Sequence, residues 1–322
     1  MNFKSIKIRL GLLIVAAMIV LGFGVDFWAA KSAKGEILNT RMEQMSSIKI
    51  SKMEHLVDYF KQIQYIMEAK TSTNKTSRLL WSLDEGFEGF EDLDIDIDEA
   101  KTALLKYYET QYLPQVDYTI PGAPQKRKLE EYLPKTTAGI IAQYLYIVQN
   151  TEAFNTKHKF IANTKYKDDY SDIHLQEHLS LITLLEKFGR EDVYITNPDG
   201  TIIYSINKNT DYGTNLINGP YKDTGLGRIF RKSQKLKPGE VALEDITNYE
   251  PSLNKKVAFM AMPIYFKKDY EGSIIFQFPM SKIDKIMNFN NKYDKVGLGK
   301  TGEAYLVGAD SIMRSNSRFF QD

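Results

Sequence analysis

His174-Leu175-Gln176-Glu177-His178 is the one metal-type signature in the sequence. On a helix this H-x-x-E-H spacing would put both imidazoles on one face, where they could ligate zinc while Glu177 activates a water. A catalytic zinc needs a third protein ligand, for which Glu240, Glu244 and Glu250 are the downstream carboxylates. The reading adopted is that His174 and His178 are solvated helix histidines. A membrane-tethered zinc peptidase and a non-catalytic metal site stand behind it. Other signatures fail on spacing. Asp92, Asp94, Asp96 and Asp98 alternate as in a calcium loop, but Ile97 or Glu99 stands where glycine is required, and Ala103 or Leu105 where glutamate is required. Gly299-Lys300-Thr301 ends like a phosphate-binding loop, yet Asp294 occupies the position of its first glycine. There is no G-x-S-x-G, no cysteine nucleophile and no Gly-rich dinucleotide loop before a helix. The chain is therefore expected not to be an enzyme and to need no cofactor.

Binding without bond-making is a different chemistry, and the sequence offers residues for it. Tyr204, Asp211, Tyr212, Asn215 and Tyr221 cluster within eighteen positions, with Phe259 and Met260 in a later apolar run. Aromatic walls with a few polar groups suit a small-molecule pocket. The competing reading makes the aromatics core and Asp211 a loop cap. Nucleic acid is not an expected partner, because 42 basic residues balance 41 acidic ones at a net charge of +1. The absence of cysteine excludes thiolate metal sites and disulfides.

The elements that would position these residues begin with an anchor. Lys4, Lys7 and Arg9 precede an apolar run from Leu10 to Val25, flanked by Phe27 and Trp28. That run approaches the roughly 20 residues needed to cross a bilayer, with the basic tip cytoplasmic. Residues 1–30 are thus expected to be a transmembrane helix in the inner (plasma) membrane, with everything after residue 30 periplasmic or extracellular; a cleaved signal peptide is the competing reading. Residues 31–188 are expected to be mostly helical, opening with one long helix to about Thr71. Met53, Leu56, Phe60, Ile63 and Met67 follow the spacing of a bundle or dimer seam. Asp98 is expected to cap a helix running to Tyr112, and helices are expected over 137–149 and 173–188. At Gly189 the texture changes. Strands are expected over 193–196 and 201–206 around Asn197-Pro198-Asp199-Gly200, then a short helix over 226–232. Strands over 241–246, 256–265 and 273–278 follow, the last two joined by a turn at 269–272, and a helix from Ser281 closes the unit. This order is that of a PAS-like α+β domain with an antiparallel sheet, spanning 189–292.

An internal repeat carries the argument further. Tyr194-Ile195-Thr196-Asn197-Pro198-Asp199-Gly200-Thr201 returns as Tyr305-Leu306-Val307-Gly308-Ala309-Asp310-Ser311-Ile312, and Ser205 as Ser315 with one residue lost in the turn. Residues 293–322 then read as the truncated beginning of a second PAS-like domain, and the chain as a fragment of a longer one. Together with Glu186-Lys187-Phe188-Gly189, Asp211-Tyr212-Gly213-Thr214-Asn215-Leu216, Gly219-Pro220-Tyr221 and Val296-Gly297-Leu298-Gly299-Lys300-Thr301-Gly302-Glu303, this order resembles the double Cache sensor region of bacterial methyl-accepting chemotaxis proteins. The helical stretch with Leu133-Pro134, Gln143-Tyr144 and Tyr146-Ile147 is similar to an insert in one branch of those receptors. The resemblance implies ligand sensing outside the cell, a homodimer, and cytoplasmic signalling partners reached through parts beyond this chain. The aromatic-Arg-Trp-Tyr cluster of amino-acid-binding members is missing. The same sensors precede histidine kinases and nucleotide cyclases, which is the alternative output.

Overall fold

The computed structural model describes residues 6–71, 73–188 and 191–319. Gly189, at the expected boundary between helical and PAS-like parts, lies outside them. The chain divides into two units, residues 1–57 and 58–322.

In the first unit, no proline and no charged residue interrupts Leu10–Val25, so nothing breaks the helical hydrogen bonds there. Helix α1 runs from Ile6 to Thr71. Among the described residues it is the one helix long and apolar enough to cross a membrane. Its apolar side chains, from Leu10 through Phe23 and Trp28 to Ile37, Met42 and Met53, are exposed.

The second unit starts within α1. Phe60 meets Phe278 edge to face at 6.3 Å, and Ile63 and Met67 are buried in its core. The expected seam therefore splits. Its last residues pack on the chain's own sheet, while Met53 remains exposed. Helix α2 (Asn74–Glu88) follows and carries Asp84, Glu85 and Glu88. Helix α3 (Ile97–Tyr107) is capped by Asp96, whose carboxylate accepts from the Asp98 and Glu99 amides. The cap is two residues earlier than expected, because the alternating acids offer several carboxylates and only Asp96 has extended backbone beside a free first turn. Helix α3 then widens into a π turn at Tyr108–Tyr112, and α4 (Thr137–Gln143) does the same at Tyr144–Val148. Each π turn sends tyrosines into the core. Helix α5 spans Asp169–Phe188.

The strands are β1 (Asp192–Thr196), β2 (Ile202–Ser205), β3 (Ala242–Tyr249), β4 (Lys255–Phe266) and β5 (Asp269–Pro279), with helices α6 (Gly225–Ser233) and α7 (Met280–Met287). They form one antiparallel sheet in the order β2-β1-β5-β4-β3, the expected α+β architecture. Strands β4 and β5 are longer than expected, and their turn sits at Lys267-Lys268, with Lys267 in the left-handed region at φ 57°. Asp269–Gly272, expected as the turn, belongs to β5.

Alternation along the strands sorts the side chains. Register places Asp192 opposite Gln277 and Gln277 opposite Phe259, on the face covered by α6. Val193, Phe276 and Met260 line the other face. Burial of the apolar ones among them, Val193, Phe259, Met260 and Phe276, stabilises the unit by roughly 1.5–3 kcal/mol each. The helical segments between 74 and 188 share one continuous core with the sheet.

The repeated segment folds the same way twice. Asn197 and Gly308 each close their turn by accepting from the residue three ahead and donating to the residue four ahead. Gly200 and Ser311, at matching positions, both take left-handed backbone (φ 87° and 64°). Thr196 pairs with Ile202 as Val307 pairs with Met313. The turns are therefore equal in length, contrary to expectation. The extra residue of the first copy enters after the turn, where a bulge shifts the register beyond Thr196, whereas Arg314 pairs directly with Leu306.

Candidate functional site

Strand β2 ends at Ser205 and the chain then turns across the rim of the sheet as Ile206–Asp211. Two devices hold this turn. Lys208, at φ 52°, is fixed through its amide to the Ser205 hydroxyl (2.9 Å) and through its ammonium to the Ser205 carbonyl. From the helical side, Gln143 donates to the carbonyls of Thr210 (2.9 Å) and Tyr212 (2.6 Å) and accepts from the Tyr108 hydroxyl. Gln143 sits at the end of α4, and α4 approaches the turn so closely that a side chain on Gly139 would meet the Gly213 carbonyl oxygen at 2.4 Å. Gly213 itself has φ 75°. The helical insert thus clamps the segment that carries Asp211.

The six residues expected to form a ligand site go to three places. Asp211, Tyr221 and Phe259 converge through Tyr249. The Tyr249 hydroxyl donates to Asp211 Oδ2 at 2.5 Å, its ring lies 5.1 Å from Phe259 and 6.4 Å from Tyr221, and the Tyr221 hydroxyl bonds Thr210 at 2.7 Å. Tyr204 points away from them, because register pairs it with Ile195 on the opposite face. Tyr204 and Tyr212 enter an aromatic cage around Lys208, whose ammonium lies 4.2 and 5.0 Å from their ring centres and 5.6 Å from that of Tyr146. Asn215 joins neither group. It donates to the Asp199 carbonyl and accepts from the Ile217 and Asn218 amides, holding a surface loop. Met260, offered with Phe259, faces the other side of β4.

The histidines complete the cage, and here the expectation of solvated side chains is wrong. His174 and His178 are 1% and 0% exposed. Their rings stack face to face, 4.0 Å apart and 27° from parallel. His178 Nδ1 bonds the Tyr204 hydroxyl (2.6 Å) and Nε2 the His158 carbonyl (2.7 Å), while His174 Nδ1 bonds the Ile161 carbonyl (2.5 Å). Stacked rings with three nitrogens committed do not converge on one ion. Glu177 turns outward to Lys75 at 3.3 Å, and no group of three His, Asp or Glu among the described residues could hold a metal. The candidate third ligands are engaged elsewhere, Glu240 by the Lys237 amide, Glu244 by Arg228 and Lys232, and Glu250 by Arg127. The zinc-peptidase arrangement is absent among the described residues.

Two charged residues of the site, Asp192 and Lys208, went unnoticed in the sequence. Their signals were an acid at the mouth of an otherwise apolar strand and a lysine between two asparagines, and both are common on surfaces. Asp192 is fully buried. Its Oδ1 accepts from the amides of Val193 (2.7 Å) and Ile206 (2.9 Å), while Oδ2 has no partner. Burial, reinforced by the charge of Asp211, raises the Asp192 carboxyl to about 8. Asp211 is also fully buried; Oδ1 lacks a donor at hydrogen-bonding geometry, and burial lifts this carboxyl to about 6. Lys208 is pulled down to about 7 by burial, against the stabilising charge of Asp192. Burial takes His178 down to about 3 and His174 well below its usual range. Behind this set, Gln277 accepts from the Tyr194 hydroxyl (2.7 Å) and donates to Ser252 (2.8 Å).

A second buried charge is fully met. Glu250 accepts from the hydroxyls of Tyr118 and Tyr132, each at 2.6 Å, and from the Arg127 guanidinium. Since both its oxygens have donors, this group works as a clasp between the 114–132 loop and the end of β3.

A small cleft of about 130 Å³ lies at the rim, lined by Glu191, Asn207, Asn209, His158, Ser252 and Lys255 among others. Glu191, Asn207 and Asn209 of its lining are chain neighbours of Asp192 and Lys208, which do not themselves line it. A larger open cleft of about 780 Å³ lies between α3, the 124–137 segment and the 218–224 loop.

No family model matches the chain, and no curated protein is similar to it. Among solved structures, the sensor domain of the V. cholerae histidine kinase DctB is similar at 16% identity with a TM-score of 0.28. The match covers 57% of this chain and 59% of that one, so the chain spans less than two thirds of the structure it matches.

Proposed function

We propose that the chain is the ligand-sensing region of a membrane receptor, that it is not an enzyme, and that its binding site is the rim of the sheet around Asp192, Lys208 and Asp211. The observation that supports this most is the buried, incompletely partnered charge at that rim. Natural cores rarely keep carboxylate oxygens without donors, and those that persist call for an explanation. A structural role is filled here by Glu250, both of whose oxygens have donors. The rim groups differ from it in having a carboxylate oxygen left over.

The mechanism we infer uses differential binding alone. A ligand that favours one packing of the rim, of the clamp from α4 and of the segments joined to them shifts the population of that state. α1 runs from a membrane-length apolar segment into the core of the sensing unit and gives the shift a covalent path. The apolar side chains exposed along residues 37–57 supply the seam of a homodimer. We infer a chemotaxis receptor in the inner membrane, with residues after about 30 outside the cytoplasm; the sensor half of a histidine kinase or nucleotide cyclase is the second reading.

Thermal unfolding of the 322-residue chain in lipid nanodiscs, against small molecules of positive, negative and zero charge, tests the sensing role. A ligand that binds only the folded state raises the unfolding temperature. An unchanged temperature across the whole panel would refute it. With a ligand in hand, swimming-response assays on cells with and without the gene separate the outputs. Lost taxis supports the chemoreceptor, and intact taxis with altered phosphorylation supports the kinase.

A further inference from the structure

We propose that Asp245, carried on a bulge of the edge strand β3, latches the repeated hairpin of residues 305–315 to the first sheet through Arg314, and that β3 joins this latch to the rim at Asp211. A relay of ligand binding along β3 rests on the sensing function above; the latch itself does not.

The bulge follows from how β3 is paired. Strand β3 lies at the edge of the sheet, beside β4. Glu244 pairs with Phe259 and Thr247 with Val257, so β3 takes one more residue than β4 between the two pairs. The extra residue falls at Asp245-Ile246. On either side of it the strand keeps its face towards α6. Glu244 is held by Arg228 and Lys232 of that helix, and a carbon added to Gly225 would meet Thr247 Oγ1 at 3.0 Å. A bulge on an edge strand re-aims the side chain it carries. Here it turns Asp245 outward, where its side chain is 58% exposed and Oδ1 accepts from the Ile246 amide at 2.7 Å.

Arg314 meets Asp245 from the second copy of the repeat. Its Nε lies 3.0 and 2.9 Å from the two Asp245 oxygens and its Nη2 2.8 Å from Oδ2, while Nη2 also donates to Asp310 at 2.8 Å. These bonds hold both carboxyls below the usual carboxylate range. A planar guanidinium on a carboxylate fixes direction as well as distance. Beyond the hairpin, the Asn316 amide donates to Asp284 of α7 at 2.6 Å. Apolar packing adds little, because Tyr305, Val307, Ile312 and Met313 are all exposed. The hairpin is therefore held by directional polar contacts, and contacts of this exposed kind are weak enough to release it without unfolding the sheet. The same strand reaches the rim at its far end, where the Tyr249 hydroxyl donates to Asp211 at 2.5 Å.

The chain has no cysteine, so Leu243→Cys and Ile312→Cys, both at exposed positions, place a single pair of spin labels on β3 and the hairpin. The test is their separation, measured by double electron–electron resonance on the 322-residue chain in nanodiscs. With Asp245 and Arg314 in place, one narrow distance distribution is expected. Asp245→Asn and Arg314→Gln should each broaden it, and the charge exchange Asp245→Arg with Arg314→Asp should narrow it again. A distribution that neither single variant changes, or that the exchange leaves broad, overturns the latch and leaves the sensing function in place. Tyr249→Phe, which removes the hydroxyl bond to Asp211, should broaden the same distribution. An unchanged distance in that variant overturns the link to the rim. Failure of every ligand in the unfolding panel overturns the sensing function and the relay, and leaves the latch standing.

Discussion

Replacing His178 with glutamine should flatten the pH dependence of stability by a calculable amount. His178 is buried between the Tyr204 hydroxyl and the His158 carbonyl, and burial lowers it from 6.5 to about 3. Below pH 6.5 the unfolded chain takes up a proton at this position that the folded chain refuses. Stability from this group is therefore complete above pH 6.5 and is lost progressively as the pH falls towards 3. Between pH 7 and pH 5 the loss integrates to roughly 2 kcal/mol. Asp192 and Asp211, whose carboxyls are raised, gain stability over the same interval, so the wild-type curve is a sum of opposing slopes. The difference between wild type and His178→Gln isolates the histidine, since glutamine can accept from Tyr204 and donate to His158 without titrating. Urea unfolding at pH 7 and pH 5 measures it. The fluorescence of Trp81, whose ring lies 4.6 Å from Phe266, reports on the second unit. The wild type should lose about 2 kcal/mol more than the variant over that interval. Parallel pH curves would show that His178 titrates normally and that the aromatic cage is open to water.

Other positions give independent outcomes. Gln143→Leu should cost about 2–4 kcal/mol in urea unfolding, because it strands two buried carbonyls and the Tyr108 hydroxyl. Gly213→Ala should cost roughly 2–3 kcal/mol by the same measure, since the added carbon sits 2.9 Å from the Gly139 carbonyl oxygen at φ 75°. Arg127→Leu should cost about 3 kcal/mol by leaving Glu250 buried beside its two tyrosines, and the double variant with Glu250→Gln should cost less than the sum. A double-mutant cycle decides that point.

The sheet was legible because its signals are local. Val193–Thr196 and Thr201–Ile206 flank an Asn-Pro-Asp-Gly turn, and the hairpin they predict is there to within one residue at each end. The repeat was visible for the same reason, but its missing residue was misplaced. A bulge is a property of how two strands pair, and the sequence of one strand does not carry it. The cap of α3 was misjudged because four acids alternate before it, and propensity alone does not choose among them. The site was only partly legible. Asp211, Tyr221 and Phe259, grouped from composition, do converge on Tyr249, but composition could not show that Tyr204 lies on the opposite face. That depends on the pairing of Tyr204 with Ile195 and Tyr194 with Ser205. The histidines were read as solvated because i, i+4 spacing fixes their common face without saying whether that face is wet. What dried it was the 158–161 segment, whose carbonyls meet both rings from far outside the helix.

The same long-range packing ties the rim to the helical segments. The turn bearing Lys208 and Asp211 is held by Gln143 at the end of α4, where the helix widens into its π turn, and Tyr146 of that π turn belongs to the Lys208 cage. Tyr146 also bonds Ser171 of α5 at 2.9 Å, and α5 leads into β1, where Asp192 stands. Asp192 and Asp211 are thus tied to the same helical insert by separate routes.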